Sequence, residues 1–367
     1  MRKKRICIIT GGHWAAVMGG AQYQAKCLLD ALVIEEDVEV FYLARVVNHS
    51  YQPQGYKILQ ISKPGGIRRY GFFFDFFKLN GLLKKIKPDV IYQRGLQSYT
   101  GFSAYYAKRN NCKFIFHIAH DYDVTPSIPT KWSVHFFLKY IEKKIGEYGL
   151  KNADKTIAQT QHQSDLLKHN YRKQVTAKVP NSHPLAKELI DKDISPVKVV
   201  WIANFKPMKR PEMFVQLAED LQDLDNVNFI MIGRSGDPKT YKQLHNRISR
   251  LTNLQYVGER TIDEVNSVLA SSHIFVNTSI AEGFPNTFIQ AWMRHVPVVS
   301  ASVNTDGVFD DTSIGFCSGT YQGMKDAVVK LVNNAELRIL MGNNAYAHAL
   351  EQHSLSNMKR VVSILKE

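Results

Sequence analysis

A carboxylate followed by glycine and proline marks the segment of this sequence most suited to chemistry, NTSIAEGFPNTFIQAWMRHVPVVS (277–300). Pro285 suits the first position of a helix, where a backbone N–H would have no intrahelical partner. Gly283 lets the backbone approach a ligand closely, so the free N–H groups and the positive end of the helix dipole could hold a phosphate. Beside such an anion, Glu282 is better suited to accepting hydrogen bonds from hydroxyl groups, such as those of a sugar. The alternative is that Glu282 caps the helix or pairs with a surface base.

Alternating strands and helices must position that segment. The first half contains the apolar runs RICIIT, VEVFYLA, PDVIYQRG, KFIFHIAH and KTIAQT, and the second half contains VKVVWIANF, VNFIMIG, LQYVG, HIFVNTS and VPVVSA. Helical stretches separate these runs, which predicts two α/β domains with parallel sheets covered on both faces. Ligands of such sheets bind beyond the carboxyl ends of the strands. We therefore expect functional residues just after strands.

The boundary between the two domains is predicted near KELIDKDISPVKV, a polar stretch with one proline. We assign residues 1–190 to an N-terminal Rossmann-like domain, completed by a C-terminal helix over 354–367. Residues 191–353 then form the second Rossmann-like domain.

The segment EGFPNTFIQAW followed by PVV resembles the donor-binding motif of glycosyltransferase family 4, a family of retaining enzymes with the GT-B fold. Further resemblances follow the family's order: MGGAQYQAKCLLDAL to its glycine-rich loop and helix, FIFHIAHDYD to a strand ending in an active-site histidine, VPNSHP to the stretch before the linker, and ANFKPMKRPEMFVQLA to a segment with a phosphate-binding lysine. The resemblance, of bacterial surface-polysaccharide type, implies parallel sheets that face a central cleft. It also implies transfer of a sugar from a nucleotide-diphosphate sugar to a lipid-linked or polysaccharide acceptor, without a metal or cofactor.

The resemblance also implies roles for individual residues. The expected catalytic residues are His120, Lys209 and Glu282. The expected substrate-binding residues are Gly19, Gly20, Asn204, Arg210, Arg234, Gly283, Phe284, Pro285, Asn286, Thr287 and Gln290.

Two positions depart from the family pattern. Gln290 stands where the family has a second glutamate that bonds the ribose hydroxyls, and an uncharged amide predicts a weaker bond there. Asn204 stands where the family often has arginine, and Lys206 and Arg210 lie close enough in sequence to supply the missing cation.

The motif DYD (121–123) imitates the metal-binding DxD of a different glycosyltransferase fold. It follows the histidine of the acceptor half, so we interpret it as unrelated to metal binding and predict no metal site. His117 alternates with apolar residues and is expected to be packed. Tyr256 to Gly258 could pack against the edge of a nucleobase.

The charge of this basic chain is confined to its first half. Residues 1–196 contain 30 Lys and Arg against 16 Asp and Glu, whereas residues 197–367 contain 17 of each, so the net charge of +14 belongs to the first half. Two stretches there mix aromatic with basic residues, RRYGFFFDFFKLNGLLKKIK (68–87) and KWSVHFFLKYIEKK (131–144). They are typical of helices that lie on anionic membranes, and equally of a core-facing stripe with a solvated back.

The scattered cysteines, with no CxxC pair, indicate a reducing compartment, and the apolar segment at the start is too short for a signal peptide. We therefore expect a cytoplasmic protein, peripheral on the inner face of the plasma membrane. Two alternatives remain: a nucleotide-sugar 2-epimerase of the same fold, and a basic nucleic-acid-binding protein, for which no helix-turn-helix, zinc or RNA-recognition signature is found.

Overall fold

The computed structural model describes residues 2–63, 73–126, 134–186, 192–235 and 238–367. The chain folds into two compact units, one formed by residues 1–182 with 355–367, the other by residues 183–354. The division lies eight residues before the boundary expected from sequence composition, within the stretch VPNSHP. The final helix belongs to the first unit.

A seven-stranded parallel sheet forms the centre of the first unit. Its strands are β1 (Lys4–Gly12), β2 (Val38–Val46), β3 (Tyr56–Gln60), β4 (Val90–Arg94), β5 (Lys113–His117), β6 (Lys155–Ala158) and β7 (Ala177–Lys178). Their order across the sheet is β3-β2-β1-β4-β5-β6-β7. In β1, Ile6, Ile8 and Ile9 are fully buried, as expected of a strand covered by helices on both faces.

Helices from both ends of the sequence cover this sheet. They are α1 (Gly20–Leu32), α2 (Phe76–Ile86), α3 (Ser98–Ala107), α4 (Val134–Lys151), α5 (Gln161–Tyr171) and, at the end of the chain, α12 (Ser356–Lys366). Helix α12 packs on α1. Its Lys366 donates hydrogen bonds to Glu35 (2.7 Å) and Asp37 (2.8 Å) in the loop that follows α1.

Helices α3 and α4 approach unusually closely because glycines lie at their contact. A Cβ atom added to Gly149 would lie 2.2 Å from the carbonyl oxygen of Thr100, and one added to Gly101 would lie 2.3 Å from the carbonyl oxygen of Ile145. Both positions therefore require glycine for packing. Helix α3 carries no charged residue, since it lies between the sheet and α4.

The second unit contains a six-stranded parallel sheet in the order β10-β9-β8-β11-β12-β13. The strands are β8 (Val197–Ile202), β9 (Val227–Ile232), β10 (Leu254–Gly258), β11 (Ile274–Asn277), β12 (Val298–Ser300) and β13 (Gly315–Cys317). The helices are α6 (Pro211–Asp220), α7 (Pro238–Ile248), α8 (Ile262–Ala270), α9 (Asn286–Trp292), α10 (Tyr321–Asn333) and α11 (Ala335–His353).

The predicted fold class is confirmed: both units are α/β, with parallel sheets. Every apolar run identified in the sequence forms a strand, and the short edge strands β3, β7 and β13 were not predicted. Of the two aromatic and basic stretches, residues 68–72 and 131–133 lie outside the described residues. Across the described ranges, none of the helices combines the length and the hydropathy needed to cross a membrane.

Candidate functional site

The sequence-predicted residues of the second unit lie where the strand order of its sheet reverses. Strands β8 and β11 are neighbours at the centre of the sheet, and the chain continues from β8 to β9 on the opposite side. The loops after β8 and β11 therefore open at one carboxyl edge, the position at which open α/β sheets bind ligands. The first loop carries Lys209 and the second carries Glu282.

These two side chains form an ion pair. The ammonium group of Lys209 donates a hydrogen bond to Oε1 of Glu282, and the hydroxyl of Ser279 donates to the same oxygen at 2.8 Å. The Lys209 and Glu282 side chains are 21% and 15% exposed, so the pair is largely shielded yet remains open to a ligand from solvent. A charge-assisted bond with this degree of shielding is stronger than a surface ion pair.

Backbone contacts hold the two loops together. After β8 the chain makes a single 3-10 turn, and Arg210 then adopts a left-handed conformation (φ +46°) before α6 begins. Its guanidinium donates to the carbonyl of Thr278 (2.5 Å) and to the hydroxyl of Ser302 (2.8 Å). The N–H of Ile280 donates to the carbonyl of Met208 at 2.9 Å. In this structure Arg210 therefore braces the loop that carries Glu282.

The residues that follow Glu282 enter α9 one position later than the sequence suggested. Pro285 has an extended conformation (ψ 119°) and precedes the helix, which begins at Asn286 and has seven residues. Gly283 accepts a hydrogen bond from the hydroxyl of Thr305 through its carbonyl (2.9 Å). Phe284 packs against the ring of His353, with ring centroids 4.7 Å apart. Asn286 and Thr287 form the half-buried start of the helix.

Gln290 is buried on α9, and its amide donates a hydrogen bond to Oδ1 of Asn266 on α8 at 3.1 Å. The Gln290 amide thus donates to the side-chain oxygen of Asn266. A glutamate at this position has no such donor, so it could bond to Asn266 only if the Asn266 side chain turned its NH2 group toward the carboxylate. The substitution of glutamine for glutamate is matched to its surroundings.

Two further predicted residues, Asn204 and Arg234, are exposed at the same edge of the sheet. The side-chain oxygen of Asn204 accepts a hydrogen bond from the N–H of Arg234 at 3.2 Å, which joins the loops after β8 and β9. The Tyr256 hydroxyl donates to the carbonyl of Gly233 at 2.8 Å, so this tyrosine also supports the loop of Arg234.

In the first unit, His120 lies just beyond the carboxyl end of β5. Its Nδ1 accepts a hydrogen bond from the N–H of Tyr122 at 3.1 Å. In the neutral ring this places the proton on Nε2, which can then donate to a ligand. The carboxylate of Asp123 accepts from the N–H groups of Leu96 (3.0 Å), Ala119 (2.7 Å) and His120 (3.0 Å), and so holds the loop.

The other carboxylate of DYD, Asp121, accepts a hydrogen bond from the Gln163 amide at 3.1 Å, and His162 lies 3.8 Å from it. Among the residues that the structure describes, no three His, Cys, Asp or Glu side chains come together as a metal site.

A buried arginine that was not singled out in the sequence lies at the end of β4. The guanidinium of Arg94 donates to the ring of His117 on β5 (3.0 Å) and to Oδ1 of Asn181 (2.6 Å). Burial, and secondly the charge of Arg94, holds the pKa of His117 well below its usual range. His117 is packed, as expected. Its alternation with apolar residues indicated burial, but nothing local to Arg94 distinguished it from an exposed arginine.

The two glycines predicted to contact substrate lie at the start of α1. Gly19 precedes the helix in an extended conformation (φ −153°), and Gly20 is its first residue. Both follow β1, which adjoins β4 where the strand order of the first sheet reverses.

Solved structures resemble the chain along almost its whole length. HepE from Anabaena, crystallised with UDP and glucose, has a TM-score of 0.74 at 15% identity and covers 98% of each chain. Sucrose-phosphate synthase from Thermosynechococcus elongatus has a TM-score of 0.77 at 14% identity and covers 99% of this chain and 98% of its own. These matches confirm the GT-B class of fold.

Among curated proteins, an uncharacterised glycosyltransferase from Methanocaldococcus jannaschii is 24% identical over 54% of this chain. The chain spans about half the length of the curated relatives that it matches, between 38% and 55% of each. Residues 196–334 match the family model described as Glycosyl transferases group 1. The matched range contains both Lys209 and Glu282, so the second unit, with its ion pair, is similar to the domain of that family.

Proposed function

We propose that this protein transfers a glycosyl group from a nucleotide-diphosphate sugar to a lipid-linked or polysaccharide acceptor, with retention at the anomeric carbon. The observation that carries the proposal is the meeting of Lys209 and Glu282 at the reversal point of the second sheet. The match of residues 196–334 to glycosyl transferases group 1 supports it, as does the presence of UDP and glucose in HepE.

The ion pair combines the two kinds of group that a nucleotide sugar requires. Lys209 supplies a positive charge for the diphosphate, and its bonds strengthen as negative charge develops on the leaving group. Glu282 supplies an acceptor for the hydroxyls of the sugar. Because Lys209 and Glu282 bond to each other, donor binding would exchange one charge-assisted bond for several.

In the proposed reaction, the bond from the anomeric carbon to the phosphate oxygen breaks while the acceptor oxygen bonds to the same face of that carbon. The acceptor proton passes to the departing phosphate, so no protein carboxylate is needed as a nucleophile. His120, with its proton on Nε2, donates to a sugar hydroxyl or to the developing charge. Gln290 contacts the ribose, and no metal ion takes part.

A panel of nucleotide sugars tests this proposal, scored by thermal shift and by release of nucleoside diphosphate with and without an acceptor extract. We expect Lys209→Ala to weaken binding of the nucleoside diphosphate by about 1.5–3 kcal/mol, the scale of a hydrogen bond to a charged group. Lys325→Ala is the control, because Lys325 pairs with Asp220 elsewhere in the same unit (3.4 Å). Unchanged affinity in Lys209→Ala would contradict the assignment.

Acceptor dependence in this panel and a salt titration with duplex DNA discriminate the alternatives. An epimerase would release nucleotide or an altered sugar without an acceptor, and a nucleic-acid-binding protein would bind duplex DNA with strong salt dependence. Transfer is expected to persist in EDTA, and loss of transfer that manganese restores would return DYD to consideration as a metal motif.

A further inference from the structure

An open apolar groove lies on the first unit. Helices α2, α3 and α4 form its walls, and its volume is about 430 Å³. The groove is lined by Phe76, Gly101, Phe102, Tyr105, Tyr140, Ile141, Lys144, Ile145 and Tyr148. Sites for small ligands span roughly 300–1,000 Å³, so the groove is large enough for one slender ligand.

The walls of the groove follow from the packing of the three helices. Phe76 stands edge-on to the rings of Phe102 and Tyr105, with centroids 5.2 and 5.3 Å away. The glycine contacts bring α3 and α4 together at Gly101, which closes the floor. The lining offers a ligand mainly aromatic and aliphatic surface. Among the lining residues that the structure describes, the one charged group, the Lys144 ammonium, is held by Glu147 at 2.8 Å.

Exposed phenylalanines extend the apolar surface beyond the groove. On α4, Phe137 lies one helical turn before Ile141 on the same face and is 62% exposed. On α2, Phe77 is 82% exposed and contacts Phe76, with ring centroids 5.3 Å apart. Two large rings left in water beside an apolar groove indicate a surface that is covered by something apolar.

The charge on the helices that form the groove favours an anionic partner. Helix α2 contains three lysines, Lys78, Lys84 and Lys85, and no acidic residue, and all three lysines are exposed. Lys139 is exposed on α4 next to Tyr140. A second copy of this chain would bring the same positive charge against itself, and a nucleic acid would meet the lysines without filling an apolar groove.

A ligand that satisfies both features has a hydrocarbon part and an anionic head. We propose that the groove binds one hydrocarbon chain of an anionic bilayer lipid, while the lysines of α2 and α4 contact the headgroups and Phe77 and Phe137 insert beside it. The inference rests on the proposed function only for its membrane setting. It differs from simple surface adsorption because one lipid chain leaves the bilayer for the protein.

Photo-crosslinking of the full chain tests the groove. Vesicles of phosphatidylcholine with phosphatidylglycerol, carrying a phosphatidylglycerol with a diazirine in mid-chain, are irradiated with the protein, and the labelled peptides are identified by mass spectrometry. We expect labels on the peptides of α3 and α4 that line the groove, and at least tenfold less label on vesicles of phosphatidylcholine alone.

Two variants fill the groove and keep the exposed surface, Ile141→Trp and Tyr148→Trp. In whichever of them melts like the wild type, we expect groove labelling to fall at least fivefold while sedimentation with anionic vesicles falls less than twofold. Phe77→Ser is the matched surface variant and should lower sedimentation more than it lowers the groove's share of the label.

Labels confined to Phe77 and Phe137, and unchanged by the filling variants, would overturn the inference in favour of surface adsorption. Equal labelling from neutral vesicles, or protection of the groove by self-association without lipid, would also overturn it. Release of nucleoside diphosphate that depends on the acceptor extract is measured separately, without these vesicles. Acceptor-dependent release without groove labelling defeats this inference alone, whereas groove labelling without acceptor-dependent release defeats the proposed function alone.

Discussion

Replacing Glu282 by glutamine should tighten the binding of a bare nucleoside diphosphate. The Lys209 ammonium bonds to Glu282, so a diphosphate bound to Lys209 would compete with the carboxylate for the same cation. Glutamine keeps an oxygen that can accept the Ser279 hydroxyl and removes the negative charge. The bare nucleotide contains no sugar, so it loses nothing that the carboxylate would have bound.

The magnitude follows from the degree of shielding of the pair. A hydrogen bond to a charged group contributes about 1.5–3 kcal/mol, and an exposed ion pair contributes about 0.2–1 kcal/mol. The Lys209–Glu282 pair lies between these limits, with side chains 21% and 15% exposed, and the ammonium has further protons for the phosphate. We therefore expect a gain of about 1 kcal/mol, or about fivefold in Kd.

The nucleotide sugar should respond in the opposite direction during turnover. Under the proposed function, hydroxyl bonds to the carboxylate orient the sugar and act most in the transition state. Glu282→Gln should therefore lower kcat/KM by at least about tenfold. Calorimetry with the nucleoside diphosphate and steady-state transfer with the sugar nucleotide measure the two effects. Glu336→Gln, which changes an exposed carboxylate in the first turn of α11 in the same unit, is the control and should change neither.

Weaker binding of the bare nucleoside diphosphate to Glu282→Gln would refute the competition argument. If nucleotide and sugar nucleotide lost affinity equally, Glu282 would be a support of its loop. If neither binding nor turnover changed, the interpretation of AEGFPN as part of a donor site would be wrong.

Two further predictions concern stability. Gly149→Ala should lower the free energy of unfolding by about 2–4 kcal/mol, because its Cβ would lie 2.2 Å from a backbone oxygen of α3. Gly81→Ala on α2 should raise the free energy of unfolding by about 0.5–1 kcal/mol, because its Cβ would meet nothing within 4 Å. Urea denaturation measures both changes. Burial lowers the pKa of His13 to about 4. Below the ordinary histidine pKa of about 6.5, His13 binds a proton in the unfolded chain but stays neutral in the folded protein. The free energy of unfolding should therefore fall between pH 6.5 and 4, by at most about 3 kcal/mol from this group. The His13→Gln variant should show a shallower decline over this range, and an identical decline would contradict the assignment.

Strand positions in this protein could be predicted from sequence because most residues of the buried strands are apolar, as in β1 and β8. The three strands that were missed, β3, β7 and β13, are short and lie at sheet edges, where half of the surroundings is absent and the apolar pattern is weak. The unit division differed from expectation because it depends on long-range contacts that composition does not record.

The positions of Lys209 and Glu282 just after strands could be predicted from the sequence, but not the bond that joins them. Lys209 and Glu282 are 73 positions apart, and nothing local to either residue indicates that each neutralises the other. Likewise, Arg210 was expected to face a ligand, whereas its bonds to Thr278 depend on how the two loops meet.

The groove on the first unit also depends on contacts that the sequence does not show. The aromatic residues of α2 and α4 were conspicuous in the sequence, but the wall between them belongs to α3. That helix has no polar face to distinguish it, and so resembles ordinary core.

The placement of α12 has a consequence for the order in which the molecule is built. The second unit is, in chain terms, an insertion within the first, since residues 355–367 return to pack with residues 1–182. On a translating ribosome, residues 183–354 emerge and can fold while α1 still lacks its neighbour and while Glu35 and Asp37 still lack Lys366. The first unit is thus synthesised first but completed last. Until α12 is synthesised, the uncovered surface of α1 can contact wrong partners.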